Sequence, residues 1–79
     1  MSRRQMQDAM DKLILEMLSR GVMHWSDLCR KVLGTHQPYA TLSRFQNRID
    51  YLLERGHIER VSRGIYRIKD SGRRYLESL

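Results

Sequence analysis

Arg44 and Asn47 have side chains of the kind that read nucleic-acid bases. A guanidinium donates two hydrogen bonds to the edge of guanine, and a carboxamide makes a matching pair of bonds with adenine. Residues three positions apart lie on the same face of a helix. If this segment is helical, Arg44 and Asn47 are therefore candidates for base recognition side by side.

The charge balance favours a negatively charged partner. The chain has 15 Lys and Arg residues against 9 Asp and Glu, a net charge of +6, and twelve of the 15 are arginine. Arginine makes forked hydrogen bonds to phosphate or guanine, which lysine does not. Charge alone does not distinguish a nucleic-acid-binding protein from a well-solvated basic domain. The choice between them depends on the helices and strands that position the arginines.

Arrangements typical of catalysis or metal binding are missing from the sequence. His24, His36 and His57 have no zinc-type spacing with each other or with Cys29, the single cysteine. No Ser-His-Asp set, carboxylate pair or phosphate loop is recognisable. A chain of 79 residues also has little material to wall a deep cleft. We therefore expect no enzymatic activity, no metal and no small-molecule cofactor.

Length and composition predict a single domain over residues 1–79. Hydrophobic residues make up 41% of the chain, enough for one core. No apolar run approaches the roughly 18 residues that indicate a membrane span. The charged start, Met1-Ser2-Arg3-Arg4-Gln5, is unlike a secretion signal. We expect no membrane association, and a cytoplasmic location is the default.

The spacing of apolar residues predicts three helices in the first two thirds of the chain. The first covers about 5–20 and is followed by a brief extended stretch at 22–25. Ser26 is the expected N-cap of a short helix over 27–33. Pro38 lies in a turn, and a third helix runs from Tyr39 or Ala40 to Arg55, with glycines closing all three helices. Its predicted apolar face consists of Leu42, Phe45, Ile49, Leu52 and Leu53.

The last third predicts a β-hairpin and a short helix. Branched and aromatic residues indicate strands at 57–61 and 65–69, and the glycine-containing segment 62–64 is typical of a hairpin connection. Asp70 or Ser71 is the expected cap of a final helix. This element order predicts an α+β winged helix-turn-helix, with a three-helix core, a two- to three-stranded β-wing and a short C-terminal helix.

A family resemblance lies in the stretch 47–76, NRIDYLLERGHIERVSRGIYRIKDSGRRYL. It resembles the N-terminal winged-helix domain of Mrr-type restriction proteins, most closely at Arg63-Gly64-Ile65-Tyr66-Arg67-Ile68 and Gly72-Arg73. The pattern leucine-leucine-x-x-glycine-x-isoleucine-glutamate at 52–59 also resembles bacterial and archaeal winged-helix regulators, including PadR-like ones. The chain departs from the Mrr pattern at Lys69-Asp70, where the family usually has threonine, and its 79 residues contain no nuclease sequence. The resemblance therefore implies a DNA-binding fold without implying cleavage.

Three groups of residues are the predicted contacts to double-stranded DNA. The outer face of the third helix enters the major groove, hydroxyls and amides at its start meet phosphate, and hairpin arginines reach backbone or minor groove. The alternative is that these polar side chains only solvate the surface. The predicted residues are Gln37, Tyr39, Thr41, Ser43, Arg44, Asn47, Arg48, Tyr51, Arg60, Arg63 and Arg67.

Three functional hypotheses remain open. The first is a sequence-specific DNA-binding protein, a small transcriptional regulator. The second is a winged-helix module that binds another protein, and the third is the detached recognition domain of a restriction or other DNA-processing system. The methionine-rich stripe of the first helix, with Met6, Met10 and Met17, is either part of the core or a surface through which a homodimer forms.

Overall fold

Four helices and one antiparallel three-stranded sheet make up the chain in the computed structural model, which describes residues 1–79. The elements are α1 (Arg3–Leu18), β1 (Met23–His24), α2 (Trp25–Leu33), α3 (Leu42–Glu54), β2 (Ile58–Ser62), β3 (Ile65–Ile68) and α4 (Asp70–Ser78). The predicted α+β class and element order are confirmed. None of the helices has the length and apolar character needed to cross a membrane.

The sheet has β3 at its centre, between β1 and β2. The predicted hairpin is present: Glu59 pairs with Arg67 and Arg60 with Tyr66, and the register shifts between Arg60 and Ser62. Gly64 closes the turn with a φ of 76°, a conformation that is easy for glycine. The predicted extended stretch after the first helix supplies β1, which pairs with β3.

The core lies between α1, α2, α3 and the inner face of the sheet. Phe45, predicted on the apolar face of the third helix, is fully buried, and Tyr66 of β3 is nearly so. Trp25 is half-buried, and its ring meets that of Phe45 edge to face at a centroid distance of 5.5 Å. The buried apolar cluster consists of Met10, Ile14, Leu15, Leu18, Leu28, Val32, Phe45, Ile49, Leu52, Ile58, Tyr66 and Ile68.

The methionine stripe of α1 divides between core and surface. Met10 is fully buried, and Met17 is half-buried against the core cluster. Met6 is half-buried near the start of the helix. Most of the stripe therefore serves the core of a single chain, and the predicted homodimer stays a prediction.

Capping moves three helix starts from their predicted positions. Ser2 and Gln5 form a reciprocal capping box, so α1 begins two residues early. His24 Nδ1 accepts the hydrogen bond of the Ser26 N–H, so His24 is the N-cap of α2 and the prediction of Ser26 was wrong. Thr41 caps α3 by accepting from the Arg44 N–H, which delays this helix to Leu42.

Two further details of α2 and α3 differ from the predictions. Gly34 ends α2 with a right-handed φ of −66°, and the left-handed residue is His36. Leu42, assigned to the apolar face of the third helix, is 53% exposed. The buried stripe follows Phe45, Ile49 and Leu52, and Leu42 lies at its end, where more than half of the side chain is left uncovered.

The last helix packs closely against the start of β2. Gly72 is buried, and a Cβ atom there would lie 2.1 Å from the carbonyl oxygen of His57. Lys69 occupies the N-cap position without a side-chain hydrogen bond, so the prediction of Asp70 or Ser71 as cap was wrong. Ser71 instead donates to the Gly56 carbonyl, at 3.2 Å, and its oxygen bonds to His57 Nδ1 at 2.7 Å.

Candidate nucleic-acid interface

The outer face of α3 presents the two residues with base-reading chemistry. Asn47 is exposed and Arg44 is half-buried, one turn after the Thr41 cap that fixes the start of the helix. Arg44 takes part in none of the four ion pairs of the chain. Ser43 is exposed beside them. The structure therefore brings Ser43, Arg44 and Asn47 together on one accessible surface.

This surface borders an open groove of about 710 Å³ between the N-terminal turns of α1 and α3, the α1–α3 groove. Two arginines, Arg3 and Arg44, line it without a carboxylate partner, and no acidic residue contributes to its wall. The full lining is Arg3, Met6, Gln7, Thr41, Ser43, Arg44, Asn47 and Arg48.

The α1 side of the groove was not found from the sequence. Arg3 has the appearance of a solvated terminal charge, and Met6 and Gln7 belong to an ordinary amphipathic pattern. Nothing in the periodicity of one helix tells which other helix lies beside it. The helix crossing is a tertiary feature, so no local signal was available.

Arg48 is engaged in an ion pair inside the chain. We expected it to contact phosphate or bases, but its Nε and one terminal nitrogen donate to the two carboxylate oxygens of Asp11, each at 2.7 Å. The Arg48 side chain is only 13% exposed and that of Asp11 is 0% exposed. The hydrogen bond with Asp11 raises the pKa of Arg48, and the pair compensates its charge. Arg48 therefore adds little free positive charge to the groove.

A tyrosine completes this buried cluster. Tyr75 in α4 donates to Asp11 Oδ2 at 2.7 Å, so three donor groups satisfy one carboxylate. Burial, followed by the hydrogen bond to Asp11, raises the pKa of Tyr75 far above its ordinary value. The cluster joins α1, α3 and α4, and it holds α3 in position behind its exposed face.

Tyr51 also serves mainly as packing for neighbouring arginines. The guanidinium carbon of Arg48 lies 4.1 Å from the centre of the Tyr51 ring, and that of Arg55 lies 5.9 Å from it. Contacts of this kind are attractive because a cation meets the electron-rich face of the ring. Tyr51 is half-buried, so its predicted contact with DNA is restricted to the exposed part of the side chain.

The two predicted DNA contacts in the turn before α3, Gln37 and Tyr39, differ in exposure. Gln37 is exposed, and its carbonyl accepts the N–H of Ala40 at 2.9 Å. Tyr39 is half-buried and packs against the core. Gln37 is thus available to a partner, whereas the Tyr39 ring is largely committed to the chain itself.

The three hairpin arginines do not form one surface. Arg60 shares the inner face of the hairpin with Tyr66, and its guanidinium carbon lies 5.6 Å from that ring centre. Arg67 lies on the opposite face, because successive strand residues alternate, and it pairs with Glu59. Arg63, in the turn, is exposed and has no ion pair. Of the three hairpin arginines, Arg63 is therefore the one with neither an ion pair nor an aromatic ring against it.

The hairpin turn is attached to the start of α2. The Trp25 N–H donates to the Gly64 carbonyl at 2.6 Å. The His24 ring lies beside Gly64, where a Cβ atom would approach its Nε2 to 3.0 Å. These contacts set the position of the Arg63 turn relative to α2.

The chain has no group of three or more His, Cys, Asp or Glu residues arranged to hold a metal ion. Comparison with protein-family models, curated proteins and solved structures found no match to this chain.

Proposed function

We propose that this chain is a winged helix-turn-helix domain that binds double-stranded DNA by sequence, as a small transcriptional regulator. The observation that carries the proposal is the pair Arg44 and Asn47, three residues apart on α3, accessible and next to a groove without acidic residues. The order of α2, α3 and the hairpin supports the fold.

In the proposed complex, α3 lies in the major groove with its N-terminal half toward the bases. Arg44 donates to guanine O6 and N7, and Asn47 bonds adenine N6 and N7. The hydroxyls of Thr41 and Ser43 flank them and are suited to phosphate oxygens. Glu54, at the far end of the helix, lies away from the bases and the negative backbone.

The hairpin supplies a second contact in this proposal. Arg63 is exposed at the turn, and an arginine is suited to a narrow minor groove, where the negative potential is strongest. Arg67 is engaged by an ion pair with Glu59, and Arg60 lies against the Tyr66 ring. We therefore assign the main hairpin contact to Arg63 alone.

The test begins with selection of bound sequences from a random duplex pool, followed by titration of the selected duplex at two salt concentrations. We expect Arg44→Ala and Asn47→Ala each to weaken binding by about 1–3 kcal/mol and to relax the preference at one base pair. Affinity of the unaltered chain should fall steeply with salt, because phosphate contacts release counterions.

Arg74→Ala is the matched control, since Arg74 is exposed on α4 and unpaired. It removes the same charge without touching α3. Absence of binding to any duplex at low salt would overturn the proposal. So would equal affinity and equal base preference in the Arg44→Ala and Arg74→Ala variants. Stoichiometric capture of a protein in place of DNA would favour the interaction-module hypothesis.

A further inference from the structure

We propose that the α1–α3 groove holds a phosphodiester of the DNA backbone, and that Arg3 of α1 donates to it. This inference rests on the proposed DNA binding and extends the contact surface to a third element. Arg3 then strengthens binding to every sequence equally, whereas Arg44 and Asn47 select the sequence.

The charge of the groove argues for an anion. Arg3 and Arg44 are its two arginines without an ion pair, and Arg48 is neutralised by Asp11. The lining contains no carboxylate that would repel a phosphate. Two guanidinium groups without a carboxylate partner, in one concave surface, attract an anion to it.

The neutral lining residues suit the same ligand. Gln7 has an amide group that donates hydrogen bonds, and Thr41 and Ser43 have hydroxyls. The Thr41 oxygen already accepts from the Arg44 N–H, so its hydroxyl hydrogen is free to point outward. Phosphate oxygens accept hydrogen bonds from all of these groups.

The position of the groove fits a strand next to the major groove. A helix inserted there has bases in front of it and a sugar–phosphate strand at each side. Asn47 and Arg44 line the groove and also belong to the outer face of α3. An anion in the groove would therefore lie immediately beside the base-reading side chains, where a backbone strand passes.

The decisive variant is Arg3→Ala, compared with Arg20→Ala. Both arginines are exposed and unpaired, one in the first turn of α1 and the other just beyond its C-terminal end. The 16 residues of α1 span about 24 Å, so Arg20 is remote from the groove. Circular dichroism of both variants checks that the fold is retained.

We expect Arg3→Ala to lower affinity for selected and random duplexes by the same factor. It should reduce the slope of log K against log salt by about 1, with the base preference unchanged. Arg20→Ala should leave the slope as it is. A duplex series with one neutral methylphosphonate at a time should reveal a phosphate whose neutralisation weakens the unaltered chain and not Arg3→Ala.

The outcomes separate this inference from the proposed function. If Arg44→Ala weakens binding while Arg3→Ala behaves like Arg20→Ala, the groove proposal is overturned and DNA binding stands. The groove proposal is also overturned if Arg3→Ala changes the base preference. It is overturned as well if every methylphosphonate that weakens binding of the unaltered chain weakens binding of Arg3→Ala equally. If the unaltered chain binds no duplex, both proposals fail.

Discussion

Asp11 is the one charged side chain in the core, and its carboxylate is met by two nitrogens of Arg48 and the hydroxyl of Tyr75. A buried ion is tolerated only when it is paired and hydrogen-bonded. The cluster therefore has an asymmetric effect on stability. Its presence is a weak source of stability, but removal of one partner leaves a charge without compensation.

Replacing Asp11 by asparagine should lower the free energy of unfolding by about 3–5 kcal/mol, because Arg48 then lies mostly buried without its counter-charge. Urea denaturation followed by circular dichroism measures this loss. The matched control is Asp27→Asn, whose pair with Arg30 has side chains 55% and 77% exposed; exposed pairs contribute only about 0–1 kcal/mol. Equal effects of the two substitutions would refute the structural role assigned to Asp11.

His57 makes stability depend on pH in a defined direction. Its ring stacks on Tyr75 at a centroid distance of 4.6 Å. Burial, with a smaller contribution from Arg55, lowers the pKa of His57. The unfolded chain therefore binds a proton more readily than the folded chain, so the contribution of His57 to stability decreases as pH falls below the ordinary histidine value of about 6.5.

Urea unfolding between pH 5 and pH 7.5 tests this sign in the unaltered chain and in His57→Phe, which retains a flat ring against Tyr75 and does not titrate. We expect the unaltered chain to lose more stability than the variant on acidification. Carboxylates titrate in both proteins, so their contribution cancels in the comparison. Parallel pH profiles would contradict the assignment.

A close backbone contact determines where α4 lies. At Gly72 the backbone of α4 comes so close to the His57 carbonyl that only the hydrogen of a glycine fits between them. That contact holds the helix against the start of β2, and the Lys69 N–H donates to the same His57 oxygen at 2.9 Å. It also fixes Tyr75 three residues later, opposite Asp11.

Gly72→Ala should destabilise the chain by about 3 kcal/mol, the upper end of the usual range for overpacking, because backbone cannot move aside as a flexible side chain can. Thermal unfolding measures the change. Arg73→Ala, at the exposed neighbouring position, should stay within about 0.5 kcal/mol of the unaltered chain. A Gly72→Ala variant as stable as Arg73→Ala would show that α4 is not held by this contact.

The elements themselves were largely predictable, because apolar spacing and turn glycines are local signals. The sequence indicated four helices and the hairpin, and the burial of Phe45 follows from the apolar periodicity of the third helix. Helix starts were less accurate, since Ser26 has the chemistry of a cap but His24 takes that role. Competing caps differ by only about 1 kcal/mol, so tertiary contacts choose between them.

The candidate site was predictable only where it depends on one element. Ser43, Arg44 and Asn47 share a face of α3, which a helical wheel displays. The partner of Arg48 is 37 residues away and Arg3 belongs to another helix, so no spacing within α3 reveals either. The burial of Asp11 is equally hidden from local spacing, because its partners Arg48 and Tyr75 belong to two other helices.

One apolar cluster unites α1, α2, α3, β2 and β3. Small domains with a single core unfold in one cooperative step. Trp25 is the only tryptophan, and its contact with Phe45 makes its fluorescence a probe of that core. Far-ultraviolet circular dichroism reports the helices independently.

We therefore expect the urea transitions from tryptophan fluorescence and from circular dichroism to coincide within error, at both low and high protein concentration. The two signals share one midpoint if the helices and the core unfold together. A midpoint that rises with protein concentration would instead indicate that two copies stabilise each other. Separate midpoints for the two signals would contradict a single cooperative core.

The attachment of Gly64 to Trp25 and His24 has a consequence for any surface that the hairpin meets. A segment already ordered by its own chain loses little conformational entropy when a ligand immobilises it. The turn that carries Arg63 is thus already ordered in the free chain. Most of the attraction between Arg63 and an anion therefore contributes to binding affinity.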